Sequence, residues 1–454
     1  MISLVTKEDI TPTVLEAALP YLAYDVVHRF WSSKRQDGYF RSVMAYMALS
    51  PAMQGSLRHP ERKTRIVELL GPAIGGICLW QNLTHKTNVQ NKGGLCAEAR
   101  KQLRTLYIST ATFWLDFFDQ FEELRHIVYE CSDFHALCMS LWTDVHPDTG
   151  RLFEGINNAE APCQILRLMA LVYDNDIARA NFITYLDAGP PQCLRTFAKS
   201  LLKRADEVLQ PPLVEMALAS YIPTLFNIIG ESMRDPTLYR ALKRLRPVRH
   251  LTSLISNITT YTARTAGSSG HPHLICIMFT LRVLINEITD KRHRRVLADW
   301  VEMTRGGMMQ TLIILAQAIT AFMDDECHGK GKVVEEAEYH CAHILSLLGM
   351  FTMSPSILKG VMVFELPPGF EDSLRRSPKI LKNWKAFYAA IDDRSRSLYS
   401  GGGDSITLCD NIGVSLTIIT LSTASLRLSS VPIYLVSVRG NPEGARGALW
   451  RSTV

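Results

Sequence analysis

Side-chain oxygens directly precede proline at Thr11-Pro12, Ser50-Pro51, Asp235-Pro236, Ser354-Pro355 and Ser377-Pro378. Few dipeptides constrain a backbone more. The oxygen accepts a hydrogen bond from a free N–H of a first helical turn, and proline, which lacks an N–H and is held at φ of about −65°, fits the first helical position. Each pair predicts a helix start. Between such starts apolar residues recur at three- and four-residue steps, as in Leu103, Leu106, Tyr107, Phe113, Trp114, Phe117, Phe121 and Leu124, which reads as one long amphipathic helix. The segment TLIILAQAITAF at 311–322 is apolar nearly all round, a pattern suited to a helix enclosed by neighbours.

The breaks are proline, glycine and short polar runs: DAGPPQ at 187–192, LQPPL at 209–213, TAGSSGHPH at 265–273, CHGKGK at 327–332 and LPPGFED at 366–372. They divide the chain into helical hairpins of a few tens of residues with few strand-like alternations, VMVF at 361–364 being a minor exception. Helix pairs of that size stack into armadillo or HEAT arrays, whose repeats run ~40–47 residues. The expected fold is therefore all-α, an irregular armadillo/HEAT-like helical array (α-solenoid) over residues 1–398. A Gly/Ser joint and a poorly ordered tail follow at 399–454. An irregular all-α bundle is the other arrangement that the pattern permits.

Composition sets the class. With 454 residues, 47% of them apolar, the chain has ample material for a buried core. The net charge of +5, from 49 basic and 44 acidic residues, is a mild excess that does not demand nucleic acid or an anionic membrane. Ten cysteines fall without a disulfide-like rhythm, and Lys7, Glu8 and Asp9 stand where a secretory signal needs an apolar core. Reduced thiols and a cytoplasmic or nuclear location are expected. The apolar run from Gly307 to Met323 contains Gln310 and Gln317 and falls short of the ~20 residues of a membrane span, so it reads as a core helix, with no membrane partner.

Candidate chemistry concentrates in DDECHGKGKVVEEAEYHCAH, which brings Cys327, His328, His340, Cys341 and His343 close in sequence. Zinc takes tetrahedral N and S ligands, and His340 and His343 stand one helical turn apart, so Cys327, His340 and His343 form a candidate ligand set; a small buried cysteine and surface histidines are the alternative. Asp324, Asp325 and Glu326 follow an apolar helix, but His328 and Gly329 occupy the next turn where a magnesium site needs another carboxylate. Two basic clusters, Arg240, Lys243, Arg244, Arg246 and Arg249, then Lys291, Arg292, Arg294 and Arg295, suit phosphate or an acidic peptide, or simply form solvated helix ends. No G-x-S-x-G elbow, Walker loop or dinucleotide fingerprint is present. The glycines of GPAIGGICLW at 71–80 lie in an apolar helical context and predict close helix packing rather than phosphate binding.

The end of the chain differs. NWKAFYAAIDDRSRSLY reads as a final charged helix, SGGGDS as a joint, and Cys409-Asp410-Asn411 follows. This layout resembles mushroom-type fungal proteins in which a long helical region closes on a Trp- and Arg-containing helix and leads into a C-terminal MYND-type zinc finger. The resemblance covers the helical body loosely and residues 384–413 more specifically. It implies a finger with two zinc ions that docks proline-containing peptides, with Cys409 as its first ligand. No cysteine follows Cys409, so four ligands cannot be assembled and no zinc is expected in this chain. Val414-Ser415 is a dipeptide that a splice donor encodes when read through, and Glu443 is the sole carboxylate side chain after it. The tail at 399–454 is accordingly expected to be read-through sequence in place of the finger, present with its zinc in a spliced form. A β-hairpin is the alternative for this Ser/Thr-rich segment.

With no convergent acid, base, nucleophile and metal ligands, the expected function is a non-enzymatic protein–protein interaction scaffold. The alternative is a helical phosphate- or nucleic-acid-binding module that uses the clusters at 240–249 and 291–295. Nothing matches the cofactor motifs of SET methyltransferases that accompany some MYND fingers.

Overall fold

The computed structural model describes residues 12–33, 45, 49, 60–90, 97–146, 149–153, 163–208, 221–265, 271–289, 296–323, 331–364 and 366–400. Among these residues every regular element is helical, and the β-type pairing is confined to an isolated antiparallel bridge between Val145 and Leu152. The all-α expectation holds. The chain divides into two compact units, Met1–Ala217 with Tyr221–Leu251, and Leu218–Ser220 with Thr252–Val454.

In the first unit lie α1 (Pro12–Ala18), α2 (Tyr24–Ser33), α3 (Pro60–Leu70), α4 (Ile74–Gln90), α5 (Ala97–Gln120), α6 (Arg125–Glu130) and α7 (Ser132–Thr143). They are followed by α8 (Gln164–Asp174), α9 (Asp176–Ala188), α10 (Pro191–Val208), α11 (Tyr221–Arg234) and α12 (Pro236–Lys243). Helix α4 packs on α7, α5 on α8 and α8 on α11. The apolar stripe of α5 supplies the densest part of this core: Tyr107, Trp114, Phe117 and Phe118 are buried, and Trp114 meets Phe134 of α7 edge-on with centroids 5.1 Å apart. The indole N–H of Trp114 donates to Gln81 Oε1 at 2.7 Å, so burying the ring strands no donor.

The long helix expected through Leu124 is shorter. Helix α5 stops at Gln120, Phe121 leaves helical geometry at φ −123° and ψ 67°, and Leu124 falls in a 3-10 turn. The reason lies in Arg125, whose guanidinium donates to the carbonyl of Phe118 at 3.0 and 2.8 Å and satisfies a helix end that would otherwise continue. Phe121 and Leu124 remain buried. The apolar pattern therefore runs on through a break in the backbone.

Another arginine closes α7. Arg204, fully buried on α10, donates to the carbonyls of Leu141 at 3.2 Å, Trp142 at 2.9 Å and Phe153 at 3.2 Å, and its guanidinium lies 4.3 Å from the centroid of the Trp142 ring. A cation at the negative end of a helix, among carbonyls and over an indole face, is held by charge on three sides.

Gly76 explains the glycines at 71–80. A Cβ at this position would fall 1.6 Å from the carbonyl oxygen of Leu22, so backbone passes against backbone there, as the packing reading expects. The stretch Lys63–Thr87 has the length and hydropathy of a membrane span. It consists of α3, a 3-10 turn at Gly71–Ala73 and α4, and 61% of its apolar window is buried within the protein.

Helix α13 (Pro247–Thr265) begins in the first unit and continues in the second. The second unit then contains α14 (His271–Thr289), α15 (Val296–Arg305), α16 (Met308–Phe322), α17 (Lys332–Phe351), α18 (Pro355–Met362), α19 (Phe370–Ser373) and α20 (Pro378–Ser400). Helix α14 packs on α17, α15 on α18 and, most extensively, α17 on α20. The apolar helix expected from 307 to 323 is α16, buried at Met308, Leu312, Leu315, Ile319 and residues between them, a core helix as expected.

The acceptor–proline starts divide by side chain. Asp235 accepts from the N–H groups of Thr237 and Leu238 at 2.8 and 2.9 Å, and Ser377 accepts from Ile380 N–H at 3.2 Å. Ser354 makes no side-chain cap bond, although Pro355 still opens α18. Thr11 and Ser50 lie outside the described residues. VMVF is not strand: Val361 and Met362 end α18 and Val363 is in a turn.

Candidate functional site

In the second unit, α16, α18, the turn after α18 and α20 enclose an open groove of about 210 Å³. Trp384 and Phe387 of α20 are its buried apolar wall, with Met309 from α16 and Val361 from α18. Its rim is apolar too. Met362 is 40% exposed, Val363 beside it 85%, Phe364 37% and Tyr388 51%. Large apolar side chains this exposed and this close together are what mark an interaction surface, whereas single ones are ordinary. Asp392 and Ser395 give the groove a polar end, where Asp392 is paired with Arg396. The indole N–H of Trp384 is buried without a hydrogen-bond partner.

The position of α20 is fixed at both ends by polar contacts to α17. The Ser377 hydroxyl, which caps α20, donates to the buried carboxylate of Glu338 at 2.6 Å, and Lys379 Nζ stands 3.1 Å from the other Glu338 oxygen. Arg394 donates to the carbonyl of Gly349 and to the Thr352 hydroxyl, closing the C-terminal end of α17. Between these anchors, Phe370 meets Trp384 edge-on at 4.7 Å. The groove wall is thereby held rigidly.

Of the histidine and cysteine candidates, His340, Cys341 and His343 lie among the described residues, and each makes different contacts. Arg282 Nη1 lies 2.6 Å from His340 Nε2, and because a guanidinium only donates, that nitrogen is the acceptor and the ring proton is on Nδ1. Arg282 also pairs with Glu336 at 3.2 Å. Burial, and then the Arg282 charge, lowers the pKa of His340 and keeps its ring neutral. His343 turns to another neighbour and stacks on Tyr339, while Cys341 is fully buried and burial pushes its thiol up to about 12. A divalent cation at His340 would face a guanidinium in ligand position. Among the described residues no group of three His, Cys, Asp or Glu side chains is arranged to hold a metal ion, and Cys327, His328, Asp324, Asp325, Glu326 and Cys409 lie outside them.

The first basic cluster is a real surface feature of the first unit. Arg240, Lys243, Arg244, Arg246 and Arg249 run from the last turn of α12 through the connecting turn into α13, and all are exposed. No carboxylate among the described residues pairs with any of them. Arg240 folds back on its own helix, donating to the Pro236 carbonyl at 3.2 Å. Arg240 and Lys243 also stand in the last turn of α12, where cations favour the helix end, so part of the cluster has a structural role. The second cluster, Lys291, Arg292, Arg294 and Arg295, lies outside the described residues.

One grouping was hidden by sequence distance. Cys78 of α4, Cys131 in the joint between α6 and α7, and Cys138 of α7 lie on elements that pack together, Cys78 and Cys138 buried and Cys131 partly exposed. Its sole sequence signal is the position of Cys131 directly before the helix-starting Ser132-Asp133. Comparison of the chain with protein-family models, with curated proteins and with solved structures finds no match.

Proposed function

We propose that this chain is a non-enzymatic, armadillo/HEAT-like interaction scaffold that receives an amphipathic helix of a partner protein in the groove between α18 and α20. The observation that carries this reading is the exposed apolar rim of Met362, Phe364 and Tyr388 over the wall of Trp384 and Phe387. A helix docks in such a groove through apolar residues on one face, and methionine, being flexible and polarizable, adapts to them. The array reading is supported by helices that pack on the third labelled helix along the chain, α4 on α7, α5 on α8, α14 on α17, α15 on α18 and α17 on α20, as three-helix repeats do.

Helical peptides selected for binding to the full chain test this. They are expected to lose at least about tenfold in affinity on Phe364→Asp, as burying an unpaired charge costs more than 1.4 kcal/mol, and to be indifferent to Ile177→Asp on the exposed surface of the first unit. Peptides equally tolerant of both changes would overturn the proposal.

The alternative is a phosphate- or nucleic-acid-binding module, favoured by the unpaired cations from Arg240 to Arg249. It would show affinity falling steeply with salt, because neutralising phosphates releases counterions. An apolar groove would change little. In the scaffold reading the chain corresponds to the helical body of a MYND-type zinc-finger protein. Metal analysis is then expected to find zinc in a spliced form that carries the finger and none in this chain.

A further inference from the structure

The groove has a direction. Along α20 its lining passes from Trp384 and Phe387 through Ile391 to Asp392 and Ser395. At 1.5 Å per residue the stretch from Trp384 to Ser395 is about 16 Å long, or roughly three helical turns. An occupying helix of that length meets apolar side chains first and polar ones last.

Asp392 is the one charged side chain among the described residues that line the groove, and it is half exposed. Ser395 donates its hydroxyl proton to the Asp392 carbonyl at 2.9 Å. Its oxygen therefore meets the groove as an acceptor, and the Asp392 carboxylate likewise only accepts. The two polar side chains at this end thus offer acceptors and a negative charge, and no donor. Arg396 does not use up that capacity. Its pair with Asp392 joins two exposed side chains one turn apart, an arrangement that contributes little, and it takes two of the roughly four acceptor positions of a carboxylate.

With the groove taken as the docking surface, on which this depends, we propose that the partner helix carries an arginine or lysine one turn beyond its apolar residues, where it pairs with Asp392. A carboxylate at that position is repelled. An apolar side chain there strips water from Asp392 and supplies nothing in exchange. Both effects act in the same direction, so Asp392 sets which amphipathic helices the groove accepts, whereas the wall and rim admit any apolar face of suitable size.

The test displays helical peptides on phage, with leucine fixed at three positions spaced i, i+3 and i+7 and the other positions varied over four turns, and selects them on the full chain. The expected binders carry arginine or lysine one turn beyond the leucines at one end. Their affinity is expected to fall at least about fivefold on Asp392→Lys, where attraction becomes repulsion. It should be unchanged on Asp372→Lys, which alters an exposed carboxylate of the same unit outside the groove. Glutamate in place of the peptide's cation should weaken binding to the unaltered chain and restore most of the loss in Asp392→Lys, a recovery that a misfolded variant cannot give. Binders that fail on Phe364→Asp yet tolerate Asp392→Lys, or that show no such recovery, would overturn the cation pairing and leave the groove reading in place. Binders indifferent to Phe364→Asp would overturn both.

Discussion

The hydroxyl of Ser377 does two things at once: it accepts from Ile380 N–H at 3.2 Å and donates to Glu338 at 2.6 Å. A helix cap and an inter-helix bond thus share one atom, which ties the start of α20 to the middle of α17. Ser377→Ala removes both and is expected to cost about 1–3 kcal/mol, above a cap alone. Glu338→Ala leaves the buried Ser377 hydroxyl without its acceptor while the exposed Lys379 turns to water, and should cost about 1–2 kcal/mol. Urea unfolding of the full chain, followed by tryptophan fluorescence, measures both.

Arg204 is fully buried and held by backbone carbonyls of three residues and the face of Trp142. Arg204→Met keeps much of the volume but leaves those carbonyls without their donor, and a loss of about 3–5 kcal/mol is expected. Arg204→Lys should recover only part of it, because an ammonium donates from one nitrogen and cannot reach carbonyls served by two separate guanidinium nitrogens, nor lay a flat face on indole. Thermal unfolding of the two variants gives the comparison, and near-equal stability of Met and wild type would contradict it.

Adjacent glycines should behave oppositely. At Gly76 a methyl would strike the Leu22 carbonyl oxygen, 1.6 Å away, whereas at Gly75 it meets only the Tyr24 ring at 3.8 Å. Gly76→Ala is expected to destabilise by about 2 kcal/mol or more through backbone displacement. Gly75→Ala should be neutral or gain up to about 1 kcal/mol from helix propensity. Circular dichroism melts of the pair decide.

Acid should weaken the first unit before its carboxylates titrate. Burial lowers His85 to about 3 and His135 to about 4, both below the value near 6.5 of an unfolded histidine. Between about pH 6.5 and 4 the unfolded chain therefore binds protons that the folded one does not, and stability falls with pH by about 1.4 kcal/mol per unit for each histidine. His250 acts in the opposite sense, since Asp206, whose Oδ1 lies 2.8 Å from its Nε2, raises its pKa and adds stability that is lost as pH rises through the folded value. Urea midpoints at pH 7.5, 6 and 5 should decline in order, with a shallower slope in His85→Gln.

How far the sequence spoke depends on the range of the interaction. The start of α12 was legible because Asp235 acts on residues two and three positions away, and the burial of α16 because its composition is apolar all round. The end of α5 was not, since it is set by Arg125 reaching a carbonyl while Phe121 and Leu124 keep the apolar rhythm. In the candidate ligand run, sequence proximity did not show the contacts: His340, Cys341 and His343 are neighbours on α17 but face Arg282, the core and Tyr339 respectively. The groove could be read only in part. VMVF stood out in the sequence as strand-like, yet its significance is that Met362, Val363 and Phe364 stay exposed beside a wall supplied by α20.

The most direct measurement places a photo-crosslinking amino acid at position 362, which lines the groove, of the full chain in its native cells, with position 177, 63% exposed in the first unit, as the control. The account predicts a discrete crosslinked protein from 362, lost on Phe364→Asp and absent from 177. The same background from both positions, or a product indifferent to Phe364→Asp, would contradict the groove as the docking surface.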